Sequence, residues 1–396
     1  MRGKIRMKYV SKVRTFWITS NSVQVKRRGK MTYSWHVKVD QVGSFDIVES
    51  DPLFSDGASK LVRYGRVPGR RLVFMDEAVY NVWAEVFKKN LADHQVDATI
   101  VKVPGGEAAK SMDVALKLVR EMRVFGLDRR HDPLIVVGGG AVLDVSGFSA
   151  SMYRRGVPYI RVPTTLLAYV DASVGIKTGV NYGIEKNLLG SFYPPTSVVL
   201  SRAFFDTLPT REFSSGQGEI LKLAVGCDGE LFDMLIDYSA RTFQNFALED
   251  KLGGRILNRA VTTMVEELQP NLFEQNLYRS VDMGHTFSQP LEMIAGLRHG
   301  EAVSMDVQLS AVISAERGLL KHRDLNQIIT TAAGLGLPTR LPEIEPELLW
   351  RSQLERVEHR GGEQHTPLPT GIGRCTFVDD LCQEELYDAI NYLRQN

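Results

Sequence analysis

Between residues 71 and 200 the chain alternates short apolar runs rich in β-branched residues with stretches whose apolar positions recur every three to four residues. Runs of the first kind lie at 72–75, 97–103, 134–137, 159–162 and 197–200. Most are apolar on both alternating faces, as strands covered from both sides must be. Helical spacing fills 79–91 and 112–125 between them. Strand and helix in alternation predict a parallel sheet with crossover helices. Past Pro209 the rhythm changes: 218–239, 253–268 and 301–319 keep a period near 3.6 with few β-branched clusters. The expected architecture is therefore α/β plus all-α. A Rossmann-like parallel-sheet domain over 1–205 is followed by a helical domain over 206–396, with the junction in 201–210, where Pro209 closes a short connection.

Composition narrows the partners. The chain has 396 residues and is 43% hydrophobic, enough for two cores. Its 48 Lys and Arg nearly balance 47 Asp and Glu, so no global field argues for nucleic acid or an anionic membrane. Any phosphate ligand has to be held locally. No apolar run reaches the roughly 18 to 20 residues that span a bilayer, and no apolar signal follows the basic start, so a cytoplasmic protein is expected. Cys227, Cys375 and Cys382 are too few and wrongly spaced for a disulfide framework or a structural zinc site. The first thirty residues hold ten Lys or Arg and no acid. Without interleaved aromatics this reads as a solvated extension over 1–32 leading into a strand at 33–39, not as a nucleic-acid arm.

The run Leu134-Ile-Val-Val-Gly138-Gly139-Gly140-Ala-Val-Leu-Asp144 is a buried strand entering a helix through three glycines. Glycine lets a backbone approach a pyrophosphate, and the first amides of a helix supply donors. A tight strand-to-helix turn would leave the same trace, and the spacing is not the usual dinucleotide fingerprint. Pro163-Thr164-Thr165 follows the 159–162 strand and puts two hydroxyls at a strand's carboxyl end, where open α/β sheets bind ligands. Asp76 ends the first strand of the series, a position suited to a ribose hydroxyl. Glu107 and Lys110, in Gly-Gly-Glu-Ala-Ala-Lys, add polar groups nearby in sequence.

In the helical half, Glu219 (Gly-Gln-Gly-Glu-Ile-Leu-Lys), His285 (Met-Gly-His-Thr-Phe) and His299 (Arg-His-Gly-Glu-Ala-Val) offer one carboxylate and two imidazoles. That set suits an open catalytic zinc site, although spacings of 66 and 14 residues do not by themselves bring them together. Arg155, Lys177, Lys186 beside Asn187, and Lys222 sit in apolar or glycine-rich surroundings, where a cation needs an anionic partner.

Together these segments resemble the dehydroquinate synthase superfamily of sugar-phosphate cyclases over roughly residues 70–380. The most specific stretch is Tyr153-Arg-Arg155-Gly-Val-Pro-Tyr-Ile-Arg-Val-Pro-Thr164-Thr165-Leu-Leu-Ala-Tyr-Val-Asp171-Ala-Ser-Val-Gly-Ile-Lys177-Thr-Gly-Val-Asn. Glycerol dehydrogenase relatives share the glycines and a similar metal set but not this series. The resemblance implies NAD contacts at Asp76, Glu107, Lys110, Gly139, Gly140, Asp144, Thr164, Thr165, Leu167 and Lys186. It implies zinc, or cobalt, on Glu219, His285 and His299. It implies substrate contacts at Asp171, Lys177, Lys222, Asn187 and Arg155, the last reaching the neighbouring subunit's site in a homodimer.

Where dehydroquinate synthases carry an Asn, an Arg and a second His for the substrate carboxylate, this chain has Asp282, Tyr278 and Gln289. An Asp facing a carboxylate adds repulsion, whereas a neutral hydroxymethyl group could donate to it. With His365 in Gln-His-Thr-Pro-Leu-Pro-Thr-Gly-Ile-Gly, the pattern is similar to the sedoheptulose 7-phosphate cyclases, most closely the branch making 2-epi-5-epi-valiolone. Gln289 and Gln217 depart from that branch and leave the exact product open; 2-epi-valiolone and desmethyl-4-deoxygadusol synthases use the same substrate and differ in late steps, and 3-dehydroquinate is the alternative if carboxylate binding has moved elsewhere. A metal-dependent polyol dehydrogenase would use the same scaffold without phosphate. A non-catalytic nucleotide binder would need the metal set to be coincidental.

Overall fold

In the computed structural model, residues 21–27, 30–36, 44–50, 61–183, 185–241, 246 and 250–395 are described. The chain forms two units, 1–44 and 45–396. In the first, β1 (Asn21–Arg27) and β2 (Lys30–His36) pair antiparallel with Asn21 opposite His36. The strand expected at 33–39 meets β2 up to His36, and Val39 lies outside the described residues, as does most of the basic extension.

In the second unit the five expected runs, joined by a strand at 46–49 that the periodicity does not show, form one parallel sheet: β3 (Asp46–Glu49), β4 (Gly69–Asp76), β5 (Val96–Val103), β6 (Leu134–Gly138), β7 (Tyr159–Pro163) and β10 (Ser197–Leu200), in the order β3-β10-β7-β6-β4-β5. Alternate side chains of one strand feed opposite cores. Leu72 and Phe74 pack with Leu118 and Met122 of α2 (Met112–Phe125) and Val142 and Leu143 of α3 (Gly140–Met152). Val73 and Met75 face Ala84, Phe87 and Leu91 of α1 (Glu77–Asp93). Helix α2 begins at Ser111, whose hydroxyl accepts from Val114 N, and ends at Gly126 in the left-handed region (φ 69°), the usual way for a chain to leave a helix. Because β4, β6 and β7 are neighbours, Asp76, the three glycines and Thr164–Thr165 converge at the carboxyl ends of the central strands.

Two antiparallel strands that the periodicity does not show, β8 (Lys177–Tyr182) and β9 (Glu185–Phe192), follow β7 and lie against α3. The helical half contains α4 (Thr210–Gly226), α5 (Gly229–Ser239), α6 (Lys251–Leu268), α7 (Ser288–Met293), α8 (His299–Glu316), α9 (His322–Gly334), α10 (Pro346–His359) and α11 (Gln383–Gln395). The continuous helix expected over 218–239 is two helices. Asp228 caps α5 by accepting from Leu231 N at 3.1 Å, and Arg259 and Thr263 hold its carboxylate, so the chain turns there. A further hairpin, β11 (Thr366–Gly371) with β12 (Arg374–Val378), interrupts the helices.

Helix α8 is buried along nearly its whole length and crosses α4 at two glycines. A Cβ on Gly218 would stand 2.0 Å from Gly300 O, and one on Gly300 would stand 1.7 Å from Ser215 O. The two backbones therefore touch where Glu219 and His299 begin. Among the described residues no helix is long and apolar enough to cross a membrane.

Candidate active site

The glycine run makes a cradle. Gly139 caps α3 with no side chain to satisfy the first amides, so those donors and the positive end of the helix dipole are available to an anion. A Cβ on Gly138 would meet Val142 Cβ at 2.8 Å, and one on Gly139 would meet Thr165 Cγ2 at 3.2 Å. Leu167 closes the same side, 3.9 Å from a Cβ built on Gly140. Thr164 N donates to Gly138 O at 3.0 Å, locking the β6 and β7 ends together. Asp76 spends one oxygen on the α1 N-terminus, accepting from Ala78 N at 2.9 Å, and burial pushes its carboxyl up. Backbone approach, free amides and a carboxylate at the next strand end fit a dinucleotide.

Lys110 is almost fully buried; its ammonium donates to Asp144 at 2.8 Å and to the side-chain oxygen of Asn187. Asn181 joins this group: its amide nitrogen donates to Glu107 at 2.8 Å, and its oxygen accepts from Asn187 N at 2.8 Å. Glu107, Lys110, Asp144 and Asn187 thus form one network across α3 and the β8–β9 hairpin, in which Asn187 of β9 adopts φ 56°. Beneath the loop that carries Asp171 and Lys177, the buried Arg161 of β7 donates to the main-chain oxygens of Ala172 (3.0 Å), Gly175 (2.6 Å) and Lys177 (3.2 Å).

The three dispersed ligand candidates meet. Glu219, His285 and His299 each present a donor atom within 4.8 Å of the others. Glu219 Oε1 lies 3.1 Å from His299 Nε2 and 3.7 Å from His285 Nε2. The other ring nitrogens are engaged, His285 Nδ1 against Met283 O at 3.2 Å and His299 Nδ1 against Glu292 Oε1 at 2.7 Å, so both Nε2 atoms face the centre. One carboxylate with two imidazoles in this span fits a zinc-type ion with open positions. The His285 loop is braced twice: Arg356 donates to His285 O at 2.7 Å, and the buried carboxylate of Asp306 accepts from Phe287 N at 2.5 Å.

The electrostatics are those of a packed charge cluster. Lys222 Nζ sits 2.5 Å from Glu219 Oε2, both fully buried. Burial works against both charges, yet each holds the other ionised: Glu219 lies well below the carboxylate range and Lys222 is raised. Burial, then Glu219, push Asp171 up. Burial and Lys222 push His285 down to about 3, whereas His299 overcomes burial through Glu219 and Glu292 and rises to about 10. Lys177 is exposed and rests on Glu274. Arg155 is exposed at a turn where Arg154 (φ 51°), Arg155 (φ 64°) and Gly156 (φ 112°) are all left-handed.

The family model for the 3-dehydroquinate synthase N-terminal domain matches residues 100–215, and that for the C-terminal domain matches 216–355. The chain belongs to the dehydroquinate synthase family. A 2-epi-5-epi-valiolone synthase from Actinomyces sp is 39% identical over 381 residues, covering 92% of this chain and 99% of that protein. Another of the same name, from Actinoplanes, is 41% identical, covering 90% and 92%. The solved structure of 2-epi-5-epi-valiolone synthase ValA from Streptomyces hygroscopicus subsp. jinggangensis 5008, with NAD+ and Zn2+ bound, superposes with a TM-score of 0.85 at 38% identity, covering 91% of this chain and 99% of that one.

Within this family scaffold the departures are informative. Asp282 is not a bare charge: Arg360 (2.8 Å), Arg279 (3.2 Å) and Arg356 (3.4 Å) surround its carboxylate and, against burial, draw it down to about 2. Its charge is thus already shared among three guanidiniums. Tyr278 packs edge-on against the ring of the nearly buried His365, centroids 4.5 Å apart. Gln289 is exposed on α7, and Gln217 is buried beside the α4–α8 crossing. Lys186, expected at the cofactor, pairs with Glu292 at 2.6 Å. The sequence reading missed Glu292, Arg161, Arg279, Arg356 and Arg360. Of these only Glu292 left a trace, as the acid seven residues before His299 in Gln-Pro-Leu-Glu-Met.

Proposed function

We propose that this protein cyclises sedoheptulose 7-phosphate to 2-epi-5-epi-valiolone with release of phosphate, as a carbon–oxygen lyase working in the cytoplasm as a homodimer. The observation that carries the reading is the meeting of Glu219, His285 and His299 beside Lys222 and Asp171, in a chain about 40% identical to valiolone synthases over nine-tenths of its length. In this reading the α/β half (1–205) holds the dinucleotide and the helical half (206–396) holds the metal.

When bound, NAD supplies a reversible hydride acceptor for C5 of the sugar, and zinc supplies a Lewis acid for the oxygen there. The protein's own groups do the remainder. Asp171 and Lys177 orient the sugar hydroxyls. Oxidation at C5 acidifies the C6 proton; the departing phosphate takes that proton as its bond to C7 breaks, leaving a C6–C7 double bond. Lys222, Asn187 and Arg155 of the opposing subunit receive the charge on the departing phosphate. After C5 is reduced again the ring opens, and the C7 enol adds to the C2 carbonyl, forming the carbocycle. Asp282, already bound by three arginines, partly neutralises the guanidinium cluster that an acidic substrate would need and favours a neutral hydroxymethyl head.

Incubation with sedoheptulose 7-phosphate, NAD and zinc is expected to release phosphate without accumulating NADH, and NMR of the product identifies the cyclitol. No phosphate release, or NADH in proportion to substrate, would overturn the reading.

A further inference from the structure

The metal trio has an asymmetry that the reaction does not require. His285 Nδ1 rests on a neutral main-chain oxygen, whereas His299 Nδ1 rests on a carboxylate that is itself held by a lysine from the other half of the chain. We propose that Glu292 and Lys186 form a positioning relay that fixes His299 for metal binding and lets the β8–β9 hairpin set the metal affinity of the helical half. Glu292 is largely buried on the short helix α7, with Oε1 2.7 Å from His299 Nδ1 and Oε2 2.6 Å from Lys186 Nζ. A carboxylate at Nδ1 requires the proton there. Nε2 is thereby aimed at the centre of the trio, hydrogen-bonded to Glu219 Oε1 at 3.1 Å in the metal-free protein and offering its lone pair there once a metal displaces that proton, and the ring cannot flip without breaking a charged hydrogen bond.

Lys186 completes the arrangement. Glu292 alone could rotate about its terminal bond, but with one oxygen on the imidazole and the other on an ammonium the carboxylate plane is fixed at both ends. The lysine lies on β9, 106 residues before its partner. Movement of the hairpin therefore reaches the metal ligand through two contacts. Lys186 acts only through Glu292, so its removal should matter only while Glu292 is present.

The relay rests on the trio holding a metal, and the test separates the two ideas. Zinc affinity of the full-length metal-free protein is measured by competition with a chromophoric chelator for wild type, Glu292→Gln, Lys186→Met and the double variant, with thermal unfolding of each metal-free form as the folding control. Glu292→Gln should weaken zinc about 10- to 100-fold. Lys186→Met should weaken it by a smaller factor in the wild-type background and not at all beside Glu292→Gln, and Glu292→Asp should restore part of the loss. The His299 Nδ1 proton should also vanish from its downfield NMR position in Glu292→Gln. Wild-type zinc affinity in Glu292→Gln, or an undiminished Lys186→Met effect in the double variant, overturns the relay alone. Wild-type protein that takes up no zinc overturns the metal reading and the relay with it.

Discussion

Replacing Gly300 by alanine tests how the metal site is built. The added methyl would lie 1.7 Å from Ser215 O and 2.6 Å from its carbonyl carbon, and both atoms are backbone of α4 that cannot swing aside. Reaching even a 3.0 Å contact requires α4 and α8 to part by about 1.3 Å. The same motion lengthens the 3.0 Å hydrogen bond from Gly300 N to Ser215 Oγ and carries His299 away from Glu219, now 3.1 Å apart. Metal–ligand distances tolerate only about 0.2 Å. Overpacking costs on the order of 1–3 kcal/mol, offset in part by the roughly 1 kcal/mol by which alanine outranks glycine inside a helix. Gly300→Ala should therefore remain folded, melt a few degrees lower, and lose zinc affinity at least about 100-fold in chelator competition. Gly218→Ala, whose methyl meets Gly300 O at 2.0 Å, should behave likewise. Wild-type zinc affinity in Gly300→Ala would refute the claim that backbone contact sets the ligand spacing.

Asp282→Asn should free the three arginines and shift the ratio of kcat/KM for 3-deoxy-heptulosonate 7-phosphate over sedoheptulose 7-phosphate toward the acid by tenfold or more, read as phosphate release; an unchanged ratio contradicts the neutralisation argument. Prolonged chelation should abolish phosphate release and zinc should restore it, while a fully active chelated enzyme would remove the metal from the reaction. Arg317 pairs with Glu385 at 2.5 Å and lowers that carboxyl to about 2. A depressed carboxylate stabilises the fold above its unfolded pKa, and that contribution fades as pH falls from about 4.5 toward 2. The melting-temperature gap between wild type and Glu385→Gln should accordingly be widest above pH 5 and close by about pH 2, and a gap that widens in acid would reverse the assignment.

How far such features can be read beforehand depends on where their information resides. The strands of the sheet were legible because burial on both faces demands unbroken β-branched runs, and the cradle because three glycines in series are costly without a reason. Strands β8 and β9 were not, since Gly179, Asn181, Lys186, Asn187 and Gly190 belong to no strand pattern, and the hairpin pairs Gly179 with Gly190 through register, not propensity. The one-sided period expected over 301–319 is not what marks helix α8, which is buried on nearly all its sides. The trio could be named from resemblance, but only the α4–α8 contact brings Glu219 and His299 together. Arg279, Arg356 and Arg360 approach Asp282 from a short turn and from the end of α10, 74 to 78 residues away for the last two. No local spacing encodes such a convergence, so the meaning of Asp282 changed once its neighbours were visible.

Arg161 carries a consequence for motion. Its guanidinium lies inside the sheet layer, over the Tyr159 ring at 5.4 Å, with three carbonyl oxygens of the 172–177 segment as its acceptors. A buried cation tolerates loss of its acceptors far less well than a neutral side chain does. If the Asp171–Lys177 segment shifted as a unit, it would abandon a charge that cannot follow it out of the strand. The segment is thus moored from below, and in the proposed reaction Asp171 would meet the sugar at a constant height while Lys177, at the exposed end, would exchange Glu274 for a sugar hydroxyl.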